Sequence, residues 1–173
     1  MKKSLGLWQF AGFTAVCVGG TLLHFLYDWT GGSALVAPFS AVNESTWEHM
    51  KLFFFPSLVF AIVQGFFFRE DYADFWQTKL IGTCTGLAMI PVIFYTYNGA
   101  IGKSPDWINI AIFAISAGIA YFVEYKIFAR NSRCNCGVLC RLAIPVFALL
   151  TLLFFVFTYY PPSIPLFAPP VAI

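Results

Sequence analysis

The chain has 173 residues, of which 60% are hydrophobic and 10% are charged, and its formal net charge is +2. Soluble domains carry roughly 25% charged residues, so this composition excludes a globule whose surface is covered by polar side chains. The small net charge, with no basic face interleaved with aromatic residues, gives no reason to expect a nucleic-acid partner. We therefore expect an integral membrane protein whose main partner is the lipid bilayer.

Five apolar segments are long enough to cross a bilayer core, which needs about 20 residues of helix. Short polar segments with turn residues separate them, and a proline-rich tail over residues 161–173 follows the last. The sequence therefore predicts an all-α fold, a polytopic membrane helix bundle of about five transmembrane helices that forms one integral membrane domain over residues 1–173. The predicted spans are residues 5–27, 46–68, 77–97, 107–128 and 138–160.

Lysine and arginine are distributed unequally between the two ends of these helices. Two of them, Lys51 and Lys103, lie at one set of ends, and the other eight lie at the set that includes the N-terminus. Because short loops rich in Lys and Arg stay in the cytoplasm, the N-terminus is predicted to be cytoplasmic and the C-terminus external. We expect a multi-pass protein of the cell membrane, of the bacterial cytoplasmic type. The eight residues are Lys2, Lys3, Arg69, Lys79, Lys126, Arg130, Arg133 and Arg141.

Small residues and prolines inside the spans predict how the helices pack. Gly82 and Gly86 form a Gly-x-x-x-Gly pair on the third predicted helix, and such pairs let helix backbones approach closely in lipid. Pro56 and Pro91 lie in the middle of their spans, where a proline leaves a carbonyl unpaired and kinks the helix.

The second predicted helix begins with a polar motif that reads Asn-Glu-Ser-Thr-Trp-Glu-His-Met-Lys over residues 43–51. Ser45 and Glu48 have the spacing of a capping box, in which the hydroxyl accepts from the amide of Glu48 and the carboxylate reaches back to the amide of Ser45. Helix initiation explains these two residues, but it does not explain Glu44 or His49.

The first predicted helix ends with a second polar set. His24 and Asp28 are four residues apart and therefore share a helix face. A short connection makes the first two helices antiparallel neighbours, so we expect this face to meet the 43–51 motif at the same depth. Imidazole nitrogens and carboxylate oxygens are standard ligands of zinc and other divalent metals. The candidate metal ligands are His24, Asp28, Glu48 and His49; the candidate catalytic residues are Glu44 and Glu48; Tyr27, Asn43 and Lys51 complete the polar cluster.

Two other interpretations of this cluster stay open. An interfacial hydrogen-bond network would hold the two helix ends together without binding anything. A site for a proton or a small polar ligand would use the same side chains, and no His-Glu-x-x-His signature is present to favour a metal.

The same segment carries a family resemblance. The chain resembles a family of small multi-pass bacterial and archaeal membrane proteins that is known only as a domain of unknown function. The resemblance implies a membrane protein of this size in which His24, Asn43, Glu44, Glu48 and His49 form one unit, and it implies no activity. The residues that carry it are His24, Phe25, Tyr27, Pro38, the motif over residues 43–51, Pro56, Pro161, Pro162, Ile164, Pro165, Leu166 and Phe167.

Three cysteines, Cys134, Cys136 and Cys140, cluster between the fourth and fifth predicted helices, beside Arg133 and Arg141. Thiolates bind soft metals and nearby cations favour the thiolate, but three thiols are a weak metal signal. Juxtamembrane cysteines are also targets for palmitoylation. Reduced, unliganded thiols are the default expectation in the cytosol.

Other features inside the predicted spans have structural interpretations. Glu124 lies about one turn from the end of its helix, and we expect it to reach the interface or to pair with a basic residue from a loop. The phenylalanine runs at residues 53–55, 66–68 and 154–155 are interpreted as bulk that faces lipid.

Three functional hypotheses follow. The first is a membrane-embedded metalloenzyme acting on a lipid or lipid-linked substrate at the outer leaflet, with His24 and His49 as ligands, Glu48 or Asp28 as third ligand and Glu44 as general base. The second is a small transporter or ion-binding permease, which would have to be a homo-oligomer because no internal repeat is visible. The third is a non-catalytic accessory subunit of a larger membrane partner.

Overall fold

The computed structural model describes residues 4–102, 105–130 and 138–169. Within these residues the chain forms five α-helices, each long and apolar enough to cross a membrane. The expected all-α helix bundle is therefore confirmed, and the chain is consistent with a multi-pass membrane protein. The helices are α1 (Leu5–Trp29), α2 (Thr46–Phe68), α3 (Phe75–Ile101), α4 (Asp106–Ala129) and α5 (Val138–Tyr159), followed by a 3₁₀ turn at Pro165–Phe167.

Of the five helices, α2 has the largest share of its residues buried inside the bundle. It packs against α1 and α3, α4 packs against the same two helices, and α5 packs against α3. Gly20 of α1 lies against Leu52 of α2, whereas Gly12 lies against Phe60, so the two helices run antiparallel as expected. We call the end at which α1 ends and α2 begins the histidine end, and the end that carries the α2–α3 connection the opposite end.

Glycine allows α1 to approach α2 where Pro56 interrupts the hydrogen bonds of α2. The proline has no N–H to donate to the carbonyl of Leu52. A Cβ on Gly20 would lie 2.9 Å from that carbonyl oxygen, and a Cβ on Gly19 would lie 3.0 Å from the ring of Pro56. The two helices therefore meet at the place where a side chain on α1 would collide with α2.

The Gly-x-x-x-Gly pair of α3 contacts two different helices. A Cβ on Gly82 would lie 2.3 Å from the side chain of Glu124 on α4, and one on Gly86 would lie 2.2 Å from the ring of Phe53 on α2. The expected close packing is confirmed, because Gly82 allows α4 to approach α3 and Gly86 allows α2 to approach it. Pro56 and Pro91, like Pro145 of α5, lie inside continuous helices.

The interpretation of the phenylalanine runs as lipid-facing bulk was wrong for most of them. Phe53, Phe54 and Phe55 are at most 7% exposed, and Phe154 is 1% exposed. Phe154 lies 5.0 Å from Phe54 and 4.6 Å from Trp47, measured between ring centroids. Large rings fill the space between helices that lack small residues at the contact, so these side chains hold α5 against α2. Phe66 and Phe67 are exposed, as expected.

Candidate functional site

The motif that opens α2 is fixed by hydrogen bonds to its own backbone. The hydroxyl of Ser45 accepts from the amide of Glu48 at 3.4 Å, which is the first half of the expected capping box. The second half is built differently, because the amide of Ser45 donates to Asn43 Oδ1 at 2.8 Å and Glu48 Oε2 accepts from the amide of Val42 at 2.8 Å. Residues on both sides of Glu44 are thus held in place.

Glu48 and Lys51 form a buried ion pair behind this motif. Lys51 Nζ lies 2.7 Å from Glu48 Oε2 and donates at 2.9 Å to both the carbonyl of Ala37 and the hydroxyl of Thr158. An ammonium has three N–H donors, so every donor of Lys51 has an acceptor. The pair ties the α1–α2 loop and the end of α5 to the start of α2.

The last turn of α1 is joined to the loop by Ser40, a buried residue. Its hydroxyl donates to the carbonyl of Leu23 and accepts from the amide of Tyr27 at 2.9 Å. These are the two groups that would bond to each other in an uninterrupted α-helix, so the hydroxyl is inserted into the helix around His24. The loop therefore sets the position of His24.

The structure brings His24, Glu44 and His49 together, with ligand atoms that all lie within 4.8 Å of one another. His24 Nε2 is 3.6 Å from Glu44 Oε1, and His49 Nε2 is 3.5 Å from Glu44 Oε2. The two imidazole rings are 5.6 Å apart between centroids. The expectation that the end of α1 and the start of α2 meet at the same depth agrees with this geometry.

The orientation of the His49 ring follows from its backbone contact. Nδ1 of His49 lies 2.9 Å from the carbonyl oxygen of Ser45, and a carbonyl can only accept a hydrogen bond. Nδ1 is therefore the donor of this bond, and Nε2 is the nitrogen that faces Glu44. Metal-binding histidines are oriented in this way, by donating the other ring N–H to a carbonyl or carboxylate.

The three side chains lie close enough together to be drawn onto one metal ion. A tetrahedral zinc ion with ligands at about 2.0–2.2 Å holds neighbouring ligand atoms about 3.3 Å apart. Each imidazole faces a different oxygen of Glu44, at 3.5 and 3.6 Å, and one ligand atom from each residue lies within 4.8 Å of the others, so the side chains would have to move closer to hold an ion. The side chains of His24, His49 and Glu44 are 30%, 24% and 64% exposed, so an ion and a substrate can reach them.

The other predicted site residues lie around this group. Among the described residues, Asp28 and Glu48 are not part of the set with ligand atoms within 4.8 Å. Asp28 is exposed one turn beyond His24, and the carboxylate of Glu48 contacts Lys51 and Val42. Tyr27 takes part through its backbone amide, which bonds to Ser40. Sequence reasoning missed Ser40, because nothing in a loop serine indicates insertion into a helix 13 residues away.

The cysteine cluster lies largely outside the described residues, which do not include Cys134, Cys136 or Arg133. Cys140 is disulfide-bonded, so the expectation of a reduced thiol does not hold for this residue. Glu124 pairs with a basic residue, but this residue lies in a helix and not in a loop as expected. Its Oε2 lies 2.6 Å from Lys79 Nζ, across the contact between α3 and α4.

The sequence matches the model of a family of unknown function, DUF6512, over residues 1–172. The chain belongs to this family. No curated protein and no solved structure matches the chain. Membership in a family without an assigned function supplies no activity, so a functional conclusion depends on the chemistry of the site itself.

Proposed function

We propose that this protein is a membrane-embedded metalloenzyme, with a divalent metal ion at the histidine end and a lipid or lipid-linked substrate. The observation that carries the proposal is the convergence of two imidazole Nε2 atoms and one carboxylate, with the ring of His49 oriented by the bond from its Nδ1 to the carbonyl of Ser45. Zinc fits this donor set, as do other first-row divalent metals.

The geometry favours roles that differ in part from those expected from the sequence. His24 and His49 keep their roles as ligands. Glu44 becomes the third ligand, since its two oxygens face the two imidazoles. Glu48 holds the motif in place through Lys51 and Val42. Asp28 is the exposed carboxylate one turn from His24 that is left to act as general base.

Three protein ligands leave a coordination position for water, whose pKa is lowered by the metal. The reaction that suits such a site is hydrolysis of an ester or phosphoester. A metal ion held by His24, His49 and Glu44 would supply an activated water and would stabilise the charge on the oxygen of the attacked group. Asp28 would accept the proton of the water as it adds to the carbonyl carbon or the phosphorus, and would return that proton to the leaving alcohol as the bond to the leaving oxygen breaks.

Apolar side chains beside the site favour a lipid substrate. Phe25 packs edge-on against His24, with centroids 5.0 Å apart, and stacks on the exposed Trp29 at 5.9 Å. Leu35, in the loop between α1 and α2, is 87% exposed. Trp at a helix end is typical of the membrane interface. The smaller number of Lys and Arg residues at this end favours the outer leaflet.

Elemental analysis by mass spectrometry tests the metal site. Full-length protein is purified in detergent, loaded with zinc and dialysed. We expect near-stoichiometric zinc in the native protein and loss of it in His24→Ala, His49→Ala and Glu44→Gln. Glu70→Gln is the matched control, because Glu70 is an exposed carboxylate at the opposite end and its loss should leave the zinc content unchanged. A native protein that retains no zinc would overturn the proposal.

A second assay addresses the chemistry. Zinc-loaded protein is reconstituted into vesicles of phosphatidylethanolamine and phosphatidylglycerol, and released headgroups and fatty acids are measured by mass spectrometry. Hydrolysis that is lost in Glu44→Gln and kept in Glu70→Gln supports the enzyme. Bound zinc without hydrolysis would limit the function to metal binding or to another lipid-linked substrate.

A further inference from the structure

A second buried ion pair, Lys79–Glu124, lies towards the opposite end of the bundle. Lys79 of α3 donates to Glu124 of α4 at 2.6 Å, and both side chains are almost completely buried. The ammonium also lies 4.9 Å from the ring centroid of Tyr121 and 5.7 Å from that of Phe60. Burying a charge inside a membrane protein is unfavourable, and such residues commonly bind or move ions and protons.

Buried polar side chains near this pair have no hydrogen-bond partner within the described part of the chain. Five such atoms come from three helices: both amide atoms of Gln9 and of Gln64, and the hydroxyl of Thr78. The buried hydroxyls of Ser57 and Tyr121, from α2 and α4, interact with each other. Each unpaired buried polar group costs about 1–3 kcal/mol. Native proteins rarely leave several in one place, so an occupant that supplies the missing hydrogen bonds is implied.

Contacts of Gly12 show that helices α1, α2 and α4 meet beside the Lys79–Glu124 pair. A Cβ on Gly12 of α1 would lie 2.3 Å from the ring of Tyr121 and 2.7 Å from the ring of Phe60, and both rings contact the ammonium of Lys79. Gln9 is three residues before Gly12 and is therefore on the same face of α1, one turn nearer the opposite end.

The remaining groups are within about one turn of the same centre. Ser57 and Gln64 are three residues before and four residues after Phe60, so they share its face of α2. Thr78 adjoins Lys79, and Tyr121 is three residues before Glu124 on α4. Gly82 allows α3 to approach, since a Cβ there would lie 2.4 Å from Glu124 Oε1. Helices α1, α2, α3 and α4 thus each contribute to one polar centre.

We propose that this centre is a hydrated proton-binding site, in which internal water bonds to Gln9, Ser57, Gln64, Thr78 and Tyr121 and Glu124 is the group that takes up and releases the proton. Amides and hydroxyls both donate and accept, which suits water better than it suits a bare anion or cation. When a hydronium ion transfers its proton to Glu124, the carboxylate becomes a neutral acid, water is left behind, and the ammonium of Lys79 keeps its charge.

Glu124 faces Lys79 of α3, its ion-pair partner, and Tyr121 of its own helix. Among the described residues, Cys17 of α1 and Ser57 of α2 interact with Tyr121, and Phe60 of α2 contacts the ammonium of Lys79. With one carboxylate and one ammonium, a single proton changes the net charge of the centre from zero to +1. The proposal does not depend on the metal site at the histidine end.

Infrared difference spectroscopy of the full chain in lipid tests it. Spectra are recorded between mildly acidic and mildly alkaline pH, and the carbonyl stretch of a protonated carboxylic acid is followed. We expect a band that titrates in the native protein and is lost in Glu124→Gln. In Tyr121→Phe we expect it to shift in frequency. Exchange into water labelled with oxygen-18 should shift the O–H stretch of weakly bonded internal water, and that signal should change in Gln64→Leu.

Glu48→Gln is the matched control, because Glu48 belongs to the other buried Lys–Glu pair, and it should keep the titrating band. Glu70→Gln serves the same purpose at an exposed position if Glu48→Gln does not fold, as judged by circular dichroism. A band that persists in a folded Glu124→Gln protein, or no titrating band in the native protein, would overturn the proposal and leave a structural ion pair. No signal from internal water would overturn the hydration of the centre.

Discussion

Among the residues that the structure describes, two buried Lys–Glu pairs lie in the bundle, one towards each end, and they differ in the number of hydrogen bonds that the lysine makes. At the histidine end, Lys51 bonds to Glu48, to the carbonyl of Ala37 and to Thr158, so its donors are all used. Towards the opposite end, Lys79 bonds, within the described part of the chain, only to Glu124, and it contacts two aromatic rings. Several polar groups beside Lys79 are unpaired within the described residues.

The Lys51–Glu48 pair belongs to the structural framework, whereas the Lys79–Glu124 pair belongs to the proposed site. A buried ion pair with every hydrogen bond made holds one conformation, because any change leaves a charge unpaired in a low-dielectric medium. The Lys51 pair accordingly fixes the loop and helix turn that carry Glu44 and His49. A pair surrounded by unpaired amides and hydroxyls can accept water or a proton, and its charge can change without breaking a complete network.

The largest effect on stability is expected at the satisfied pair. Lys51→Met should lower the free energy of unfolding by about 3–5 kcal/mol, because it leaves Glu48 buried without its counter-charge. Reversible unfolding in mixed detergent micelles measures this. The double variant Lys51→Met, Glu48→Gln should recover a large part of the loss. Equal loss in the single and double variants would show that Lys51 acts through packing and through its bonds to Ala37 and Thr158.

A smaller loss is expected at the second pair. Lys79→Met should lower the free energy of unfolding by about 1–3 kcal/mol, because Glu124 can take up a proton once its counter-charge is gone. The same unfolding measurement, made at acidic and alkaline pH, should show a greater loss at alkaline pH. If Lys79→Met were as destabilising as Lys51→Met at every pH, the two pairs would be equivalent and the distinction between them would fail.

Ser40→Ala should move His24 and lower zinc affinity while it lowers the stability of the bundle only slightly. Loss of the hydroxyl lets the amide of Tyr27 bond directly to the carbonyl of Leu23, so we expect about 1 kcal/mol of destabilisation. His24 should shift as the helix closes, and zinc affinity should fall by about tenfold or more, as measured by competition with a chelating dye. Ser33→Ala, in the same loop, is the control. Unchanged zinc affinity would show that Ser40 does not position His24.

The smallest effect concerns Tyr72, in the connection between α2 and α3. Burial, and then the neighbouring carboxylates of Asp71 and Asp74, raise the pKa of this phenol above its ordinary value. The stabilisation from the neutral phenol is therefore complete below about pH 10 and is lost as pH rises through the pKa of the folded state. Absorbance titration of phenolate should show a late-titrating tyrosine that is missing in Tyr72→Phe. A Tyr72 that ionises with the exposed tyrosines would contradict this.

The sequence alone determined the class of fold. Segments of about 20 apolar residues can satisfy their backbone groups in lipid only as helices, so the number of helices follows from hydropathy. It also determined the start of α2, because a serine three residues before a glutamate is a local capping signal. The meeting of His24 with the 43–51 motif was predictable too, since a short connection makes the first two helices antiparallel neighbours.

Tertiary structure decided which side chains act together. Glu48 and Glu44 are both carboxylates in one motif, and only the buried position of Lys51 shows that Glu48 is committed to an ion pair while Glu44 faces the two imidazoles. Ser40, Lys79 and Gln9 carry no signal in the sequence, because their roles depend on which helices touch and at what register. That register is set by glycine contacts and ring packing between distant segments, and local sequence patterns do not encode it.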